Sequence, residues 1–281
     1  MTGPDVAVPH HHLPRDADLR LVVSDMDGTL LDDAGHLPDE FWPLLDVMRE
    51  RGIVFAPASG RQRATLETLF ERALDGMSLI AENGTYVVRD GAEVSSAVLP
   101  PSLWQSVVAA TRAARADGLD LGVVVCGKRA AYLERTDDAF LTACSPYYVT
   151  MQLVADQLAV DDEIIKMAVY DFDDAEVSVA RFAEFAADHQ VVVSGRNWID
   201  IMAAGINKGA AVRALQADLG VTRAQTVAFG DFFNDAEMLD EADWSFATAN
   251  AHPAIRERAR YGASSNADHG VLRVLEHLLG L

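Results

Sequence analysis

A short apolar run that ends in two aspartates is the feature that most constrains this chain. Leu21-Val22-Val23 has the composition of a buried strand, and Asp25-Met26-Asp27-Gly28-Thr29 follows almost at once. Ligands of open α/β sheets bind at the carboxyl ends of parallel strands, so these carboxylates are expected at a binding edge. Two aspartates at this spacing can share one hard cation through a side chain and a backbone carbonyl.

Three further polar segments follow in the same manner. Ala58-Ser59-Gly60-Arg61 comes after an apolar run, and its hydroxyl and backbone N–H groups can hold a phosphoryl oxygen at a helix start. Asn207-Lys208-Gly209 opens a helical pattern and brings a compact positive charge. After another strand pattern, the acids of Gly230-Asp231-Phe232-Phe233-Asn234-Asp235 begin a helix, and Asp231 can complete a metal site.

Each segment taken alone has a plainer explanation. The first two aspartates could cap a turn, and Ser59 could simply begin a helix. Lys208 alone would be a solvated lysine, and the acids of residues 231–235 would suit a helix N-terminus. Four such segments in order, each at a strand end, favour one phosphate-handling site over four coincidences.

The ordered set DMDGT, ASGR, NKG and GDFFND resembles the haloacid dehalogenase (HAD) superfamily of aspartate-nucleophile phosphohydrolases, and its spacing resembles the Cof-type branch. The resemblance extends from about residue 20 to the end, with Glu82-Asn83-Gly84 at the position of that branch's ENG and Thr85 as a mild variant. It implies an α/β fold with a doubly wound, Rossmann-like parallel-sheet core. It also implies a subfamily IIB phosphatase.

The resemblance implies roles for the motif residues as well. Asp25 would be the nucleophile and Asp27 the general acid and base, giving an aspartyl-phosphate intermediate. An Asp at this second position indicates rapid hydrolysis, because ion-pumping relatives carry Thr there and dehalogenases lack the acid. The ligands of Mg²⁺ would be Asp25, Asp27 and Asp231, with Asp235 in support. The phosphate-binding residues would be Met26, Ser59, Gly60, Lys208 and Asn234.

Phosphate chemistry independently requires such residues. A phosphate monoester is close to dianionic at neutral pH, so an approaching carboxylate is repelled until Mg²⁺ and Lys208 neutralise the charge. The leaving alkoxide also needs a proton, which a carboxylic acid at Asp27 can supply.

The separation of 149 positions from Ser59 to Lys208 far exceeds one βα step and predicts a second domain. Adjacent pairs of strand patterns with helices between them indicate an antiparallel sheet with helices on one face. This segment resembles the superfamily's type IIB α/β cap. The expected organisation is a flexible tail (1–19), a catalytic core (20–86 and 201–281) and an inserted cap (87–200).

The cap is expected to select the substrate, because the four motifs recognise only a phosphoryl group and a metal. Arg196 and Trp198 lie near the predicted junction, and Asn83 and Asp200 are the predicted substrate contacts there. The expected substrate is a sugar phosphate, while phosphorylated cofactors and nucleotides remain open. A phosphosugar mutase or phosphotransferase is the alternative activity, and a non-catalytic phosphometabolite-binding module is the alternative class.

Composition limits the partners. A net charge of −20 argues against nucleic acid and anionic membranes, and no apolar stretch has the length of a membrane span. The run His10-His11-His12, among prolines, is typical of a flexible tail rather than a signal peptide. Cys126 and Cys144 are too few for a disulfide framework, which indicates a reducing cytoplasm.

Overall fold

The structure of the protein, a computed structural model, describes residues 18–281. The tail predicted for residues 1–19, with its histidine run, therefore lies outside the described residues except for Asp18 and Leu19. Among the described residues, no helix combines the length and the apolar composition needed to cross a bilayer.

The described residues form two sheets and their flanking helices. The strands are β1 (Leu21–Asp25), β2 (Val54–Ala58), β3 (Ser78–Ala81), β4 (Tyr86–Arg89), β5 (Ala92–Ser96), β6 (Leu121–Gly127), β7 (Ala131–Leu133), β8 (Met151–Leu153), β9 (Ile164–Asp171), β10 (His189–Gly195), β11 (Trp198–Ala203), β12 (Thr226–Gly230), β13 (Trp244–Thr248) and β14 (Tyr261–Ala263). The α-helices are α1 (Phe41–Glu50), α2 (Arg63–Leu69), α3 (Pro101–Ala116), α4 (Asp138–Cys144), α5 (Ala175–Ser178), α6 (Lys208–Leu219), α7 (Ala236–Asp240), α8 (Pro253–Arg258) and α9 (Gly270–Leu279).

The core sheet has the order β14-β13-β12-β1-β2-β3-β4-β5. Its strands from β14 to β3 are parallel, and β4 and β5 are added antiparallel. Alternate side chains of β1 point to opposite faces, Val22 towards the cluster that includes α1 and α9, and Val23 towards the cluster that includes α6, α7 and α8. A parallel sheet covered by helices on both faces is the predicted doubly wound core, which is confirmed.

The second sheet has the order β10-β11-β9-β6-β7-β8 and is antiparallel except between β7 and β8. Helix α3 covers one face, where Trp104 and Val107 pack against strand residues such as Val169. Helix α5 is short, because it passes at Val179 into a 3₁₀ helix that runs to Ala187. Helix α4, which the sequence pattern did not predict, packs against the other face through Phe140.

The strands of the two sheets indicate where the core ends and the cap begins. Strands β4 and β5 extend the core sheet beyond residue 86, and β11 carries the cap sheet beyond residue 200. We propose, on this strand membership, that the inserted cap runs from about residue 97 to residue 203.

Candidate active site

Strand register brings three of the four motifs to one edge of the core sheet. Asp25, the last residue of β1, is in register with Ala58 of β2, and Ser24 is in register with Phe229 of β12. The loops that carry the other motifs begin directly after these partners. Strand β1 lies between β2 and β12, so the strands that follow the first motif are placed on both sides of β1. The site forms at this point of the sheet.

Lys208, from the third motif, joins the site from the start of helix α6. The helix begins there because the Asn207 side chain accepts a hydrogen bond from the Ala210 N–H, at 2.8 Å. The completely buried ammonium of Lys208 donates to Asp25 Oδ1 and, at 2.7 Å, to Asp235 Oδ1. Burial opposes the charged form, but the two carboxylates outweigh it and raise the pKa of Lys208.

Asp25, Asp231 and Asp235 form a compact carboxylate cluster, with one oxygen of each within 4.8 Å of the others. Burial and the nearby Asp235 raise the pKa of Asp25 to about 7, while burial and the nearby Asp25 raise that of Asp231 to about 9. One ammonium does not neutralise three carboxylates. A hard divalent cation prefers such oxygen donors, so the residues present fit a metal site.

Backbone and hydroxyl donors fix the cluster. The N–H of Asp231 donates to Asp235 Oδ2 at 2.8 Å, and the Thr29 hydroxyl donates to Asp231 Oδ1 at 3.1 Å. Gly28 has a φ of +78°, and a Cβ at that position would collide with the Asp231 carboxylate. Only glycine therefore suits the turn that follows Asp27.

The Asp27 side chain points away from the carboxylate cluster and towards Arg61. The Arg61 guanidinium contacts both oxygens of Asp27, with 3.0 Å between Nε and Oδ2, and donates to the Pro146 carbonyl at 2.8 Å. Its central carbon lies 5.3 Å from the centroid of the Tyr147 ring. The sequence predicted no role for Arg61, although its position directly after Ser59-Gly60 was a usable signal. The assignment of Asp27 as a metal ligand stays a prediction.

Three of the five expected phosphate-binding residues line the same space, whereas Lys208 and Met26 do not. Ser59, Gly60 and Asn234 line a cavity of about 290 Å³ together with Asp25 and Asp231. The Ser59 hydroxyl accepts a hydrogen bond from the Arg61 N–H at 3.1 Å. The Met26 side chain is instead packed in the apolar core, so only its backbone is available to a phosphate.

The cap closes the other side of this cavity with Tyr147, Tyr148, Lys166, Ser194, Arg196 and Trp198. No pattern in the sequence distinguished the two tyrosines, because they come from an irregular loop after α4. Arg196 is exposed at the turn between β10 and β11, and its side chain forms no ion pair within residues 18–281. The cavity thus has carboxylates and a phosphate seat on the core side, and aromatic and cationic groups on the cap side.

A loop of the cap rests on the first turn of core helix α2. The Tyr147 carbonyl accepts hydrogen bonds from the Gln62 N–H at 2.9 Å and from the Thr65 hydroxyl at 2.8 Å. The Thr150 N–H donates to the Gln62 side-chain oxygen at 3.0 Å. These bonds satisfy groups that the start of a helix leaves free, and they hold the cap against the core.

The expected substrate contacts Asn83 and Asp200 bond to each other. The Asn83 amide donates to Asp200 Oδ2, and its oxygen accepts from Asn234 Nδ2 at 3.0 Å. Asp200 lines the cavity, but Asn83 is not among the lining residues. Their contact with substrate stays a prediction.

The doubly wound core, the inserted cap and the acidic site between them define a capped α/β hydrolase. The chain belongs to the family of haloacid dehalogenase-like hydrolases, whose family model matches residues 22–275. This membership confirms the resemblance seen in the four motifs.

Relatives of known name are phosphatases. The chain is 32% identical over 268 residues to the 5-amino-6-(5-phospho-D-ribitylamino)uracil phosphatase YbjI of Escherichia coli strain K12, covering 93% of this chain and 96% of that protein. It is 28% identical over 239 residues to the HMP-PP phosphatase of Cronobacter sakazakii, covering 84% of this chain and 86% of that protein. The chain is therefore a phosphatase of the HAD type, a phosphoric monoester hydrolase.

A solved structure shows the same architecture. The HAD subclass IIB sugar phosphatase BT4131 superposes with a TM-score of 0.79 at 18% identity, over 92% of this chain and 98% of that chain. The likeness confirms the predicted core with an inserted IIB cap.

Proposed function

We propose that this protein hydrolyses the phosphate ester of a small metabolite, with Mg²⁺ and an aspartyl-phosphate intermediate on Asp25. The observation that carries the proposal is the buried contact of Lys208 with both Asp25 and Asp235, next to the cavity that Asp25 and Asp231 line. A carboxylate held next to a fixed ammonium at a strand end has its charge compensated and its direction set, which is what attack on an anion requires.

Asp25 and Asp27 divide the chemistry between them. An oxygen of Asp25 forms a bond to phosphorus while the bond from phosphorus to the ester oxygen breaks, and the carboxylic acid of Asp27 protonates the departing alkoxide. The Asp27 carboxylate then takes a proton from a water molecule, which attacks phosphorus and releases inorganic phosphate with Asp25 restored. Ser59, the Gly60 backbone and Asn234 orient the phosphoryl oxygens during both displacements.

Asp25 and Asp231 would hold the metal through their side chains with Asp235 in support, and Asp27 is proposed to add its backbone carbonyl. When bound, Mg²⁺ supplies positive charge that screens the phosphoryl group from these carboxylates. Lys208 supplies further positive charge from within the protein, and its burial prevents water from screening that charge.

The cap side of the cavity supports a phosphorylated sugar or sugar alcohol as substrate. Ser194 and Asp200 offer hydrogen bonds to hydroxyl groups, and Trp198 and Tyr147 offer flat apolar surfaces. Arg196, which forms no ion pair with any other described residue, can bind an oxygen-rich group at the far end of the substrate. The name of the relative YbjI describes a phosphoribityl chain on a uracil, a compound with this combination of hydroxyl groups and a flat ring. We also propose a cytoplasmic location, supported by the free thiols of Cys126 and Cys144.

The test is a panel of phosphorylated metabolites assayed with the purified protein and Mg²⁺, with released phosphate as the readout. It includes sugar phosphates, a phosphoribitylaminouracil, pyridoxal and flavin phosphates, and nucleotides, with Asp25→Asn as the matched inactive variant. Release of phosphate by the parent and not by the variant supports hydrolysis. An isomerised phosphosugar without free phosphate would establish a mutase, and binding without any product would establish a binding module.

A further inference from the structure

A buried chain of polar side chains crosses from the cap to the core beside the cavity. It starts at Lys166, which interrupts the otherwise apolar strand β9 and is 1% exposed. The Lys166 ammonium donates to the Gly60 carbonyl at 2.7 Å and lies 2.7 Å from a Glu82 oxygen and 3.5 Å from an Asp200 oxygen. A cap lysine therefore reaches the backbone of the second motif.

The Gly60 carbonyl belongs to the same peptide group as the Arg61 N–H. That N–H donates to the Ser59 hydroxyl at 3.1 Å. Because a peptide group is planar, a bond that fixes its carbonyl also fixes the direction of its N–H. By fixing this peptide group, Lys166 orients the N–H that donates to Ser59 Oγ.

A second branch reaches the fourth motif. Asp200 accepts from the Asn83 amide, whose oxygen accepts from Asn234 Nδ2 at 3.0 Å. Asn83 holds a φ of +56°, a left-handed conformation that Asn adopts more readily than most residues. Both branches end on groups that line the phosphate-binding side of the cavity.

The buried charges among these polar side chains cost free energy of folding. Their presence therefore indicates a function that apolar packing cannot supply. Burial opposes the charge on Lys166, yet Asp200 and Glu82 together raise its pKa. Glu82 is 1% exposed, and its Oε1 has no hydrogen-bond partner among the described residues. Buried ion pairs often add little stability compared with apolar residues of similar size, so their retention fits a positioning role.

We propose that Lys166 and Asn83 are positioning residues that complete the phosphate seat only when the cap is closed. Lys166 fixes the Gly60 carbonyl, and thereby the Arg61 N–H that donates to Ser59. Asn83 bonds to both Asp200 and Asn234, so the position of Asp200 determines that of Asn234. The inference rests on the proposed phosphatase function. It gives the cap a part in the phosphoryl-transfer step itself, in addition to contact with the leaving group.

The test compares Lys166→Met with Lys128→Met. Lys128 is a matched control, since it too is a cap lysine that pairs with a core carboxylate, Glu93, at 3.2 Å, but it lies away from the cavity. For each protein we would measure kcat and KM on a small aryl phosphate and on the best metabolite, and Ki for inorganic phosphate. We expect Lys166→Met to lower kcat about 10-fold to 100-fold on both substrates and to weaken phosphate inhibition, because a displaced seat affects every substrate. Lys128→Met should stay within about twofold of the parent.

Asn83→Gly is the second variant, and it keeps the test decisive if Lys166→Met does not fold. Glycine accepts the positive φ at this position, so only the bridging amide is lost. We expect the same fall in kcat on both substrates. The inference is overturned if a folded variant changes only KM for the metabolite, or keeps the parental kcat and phosphate Ki. A parent protein that hydrolyses nothing in the panel would instead overturn the proposed function.

Discussion

Replacing a carboxylate of the cluster should stabilise the metal-free protein, and Asp231→Asn is the sharpest case. Burial and the nearby Asp25 raise the pKa of Asp231 from 3.8 to about 9. The folded state therefore binds a proton that the unfolded chain releases at lower pH. The stability associated with this group is complete below about pH 4 and is lost as the pH rises through about 9.

The magnitude follows from the size of that shift. Each pH unit above 3.8 lowers the free energy of unfolding by about 1.4 kcal/mol, which sums to about 4 kcal/mol at pH 7. Asp231 is only partly buried, so solvent screens part of the effect, and we expect a gain of about 2 kcal/mol for Asp231→Asn. The asparagine oxygen can still accept from Thr29. For a chain of this size the gain corresponds to a rise in Tm of about 4 °C or more.

The assay is thermal unfolding near pH 6 and near pH 8, in excess chelator and in saturating Mg²⁺. In chelator the variant should be the more stable protein, by a larger margin near pH 8. In Mg²⁺ the order should reverse, because only the parent gains about 2 to 3 kcal/mol from bound metal at roughly 100 times its Kd. Asp240→Asn is the control, since this carboxylate pairs with Arg258 at the surface and its replacement should bring no gain in chelator. A variant less stable than the parent in chelator near pH 8, or a parent that Mg²⁺ does not stabilise, would refute the reasoning.

Three further changes are expected to act on catalysis. Asp25→Asn should lower kcat by on the order of 10³-fold or more without unfolding the protein, as checked by phosphate release and circular dichroism, and near-parental activity would contradict its role as nucleophile. Asp27→Asn should slow a substrate with a poor alkoxide leaving group by roughly 10²-fold to 10⁴-fold and an activated aryl phosphate less, so equal losses would argue against general-acid catalysis. Arg196→Ala should raise KM for the best metabolite about 10-fold and leave KM for an aryl phosphate unchanged, because this arginine meets only the far end of the substrate; a parallel rise for both substrates would count against that contact.

Much of the fold could be predicted because its signals are local. The four motifs each follow an apolar run, and runs of this kind form the parallel strands β1, β2 and β12, which the family match and the solved relative confirm. The hairpin of β4 and β5 was missed although it has a local signal. Asp90 and Gly91 both have positive φ, the conformation that a two-residue hairpin turn requires and that an Asp-Gly pair favours.

The arrangement around the motifs was less accessible, since it depends on contacts between distant parts of the chain. Lys166 stood out in the sequence as a charge within an apolar strand, but its partners Glu82, Asp200 and the Gly60 carbonyl are far from it in sequence. Contact of Asn83 with the substrate stays a prediction, and its hydrogen bonds to Asp200 and Asn234 could not be read from the sequence. A motif identifies which residues take part, whereas only packing determines which of them lie together.

The loop that joins the cap to helix α2 has a consequence for the speed of turnover. Opening the cap along this seam would break the hydrogen bonds from Gln62 and Thr65 to the Tyr147 carbonyl, and water can replace both bonds at little net cost. In many enzymes with lids, such an opening step limits kcat. Thr65 does not line the cavity, so substitutions there can weaken the seam and speed the release of products without changing the groups that face the substrate.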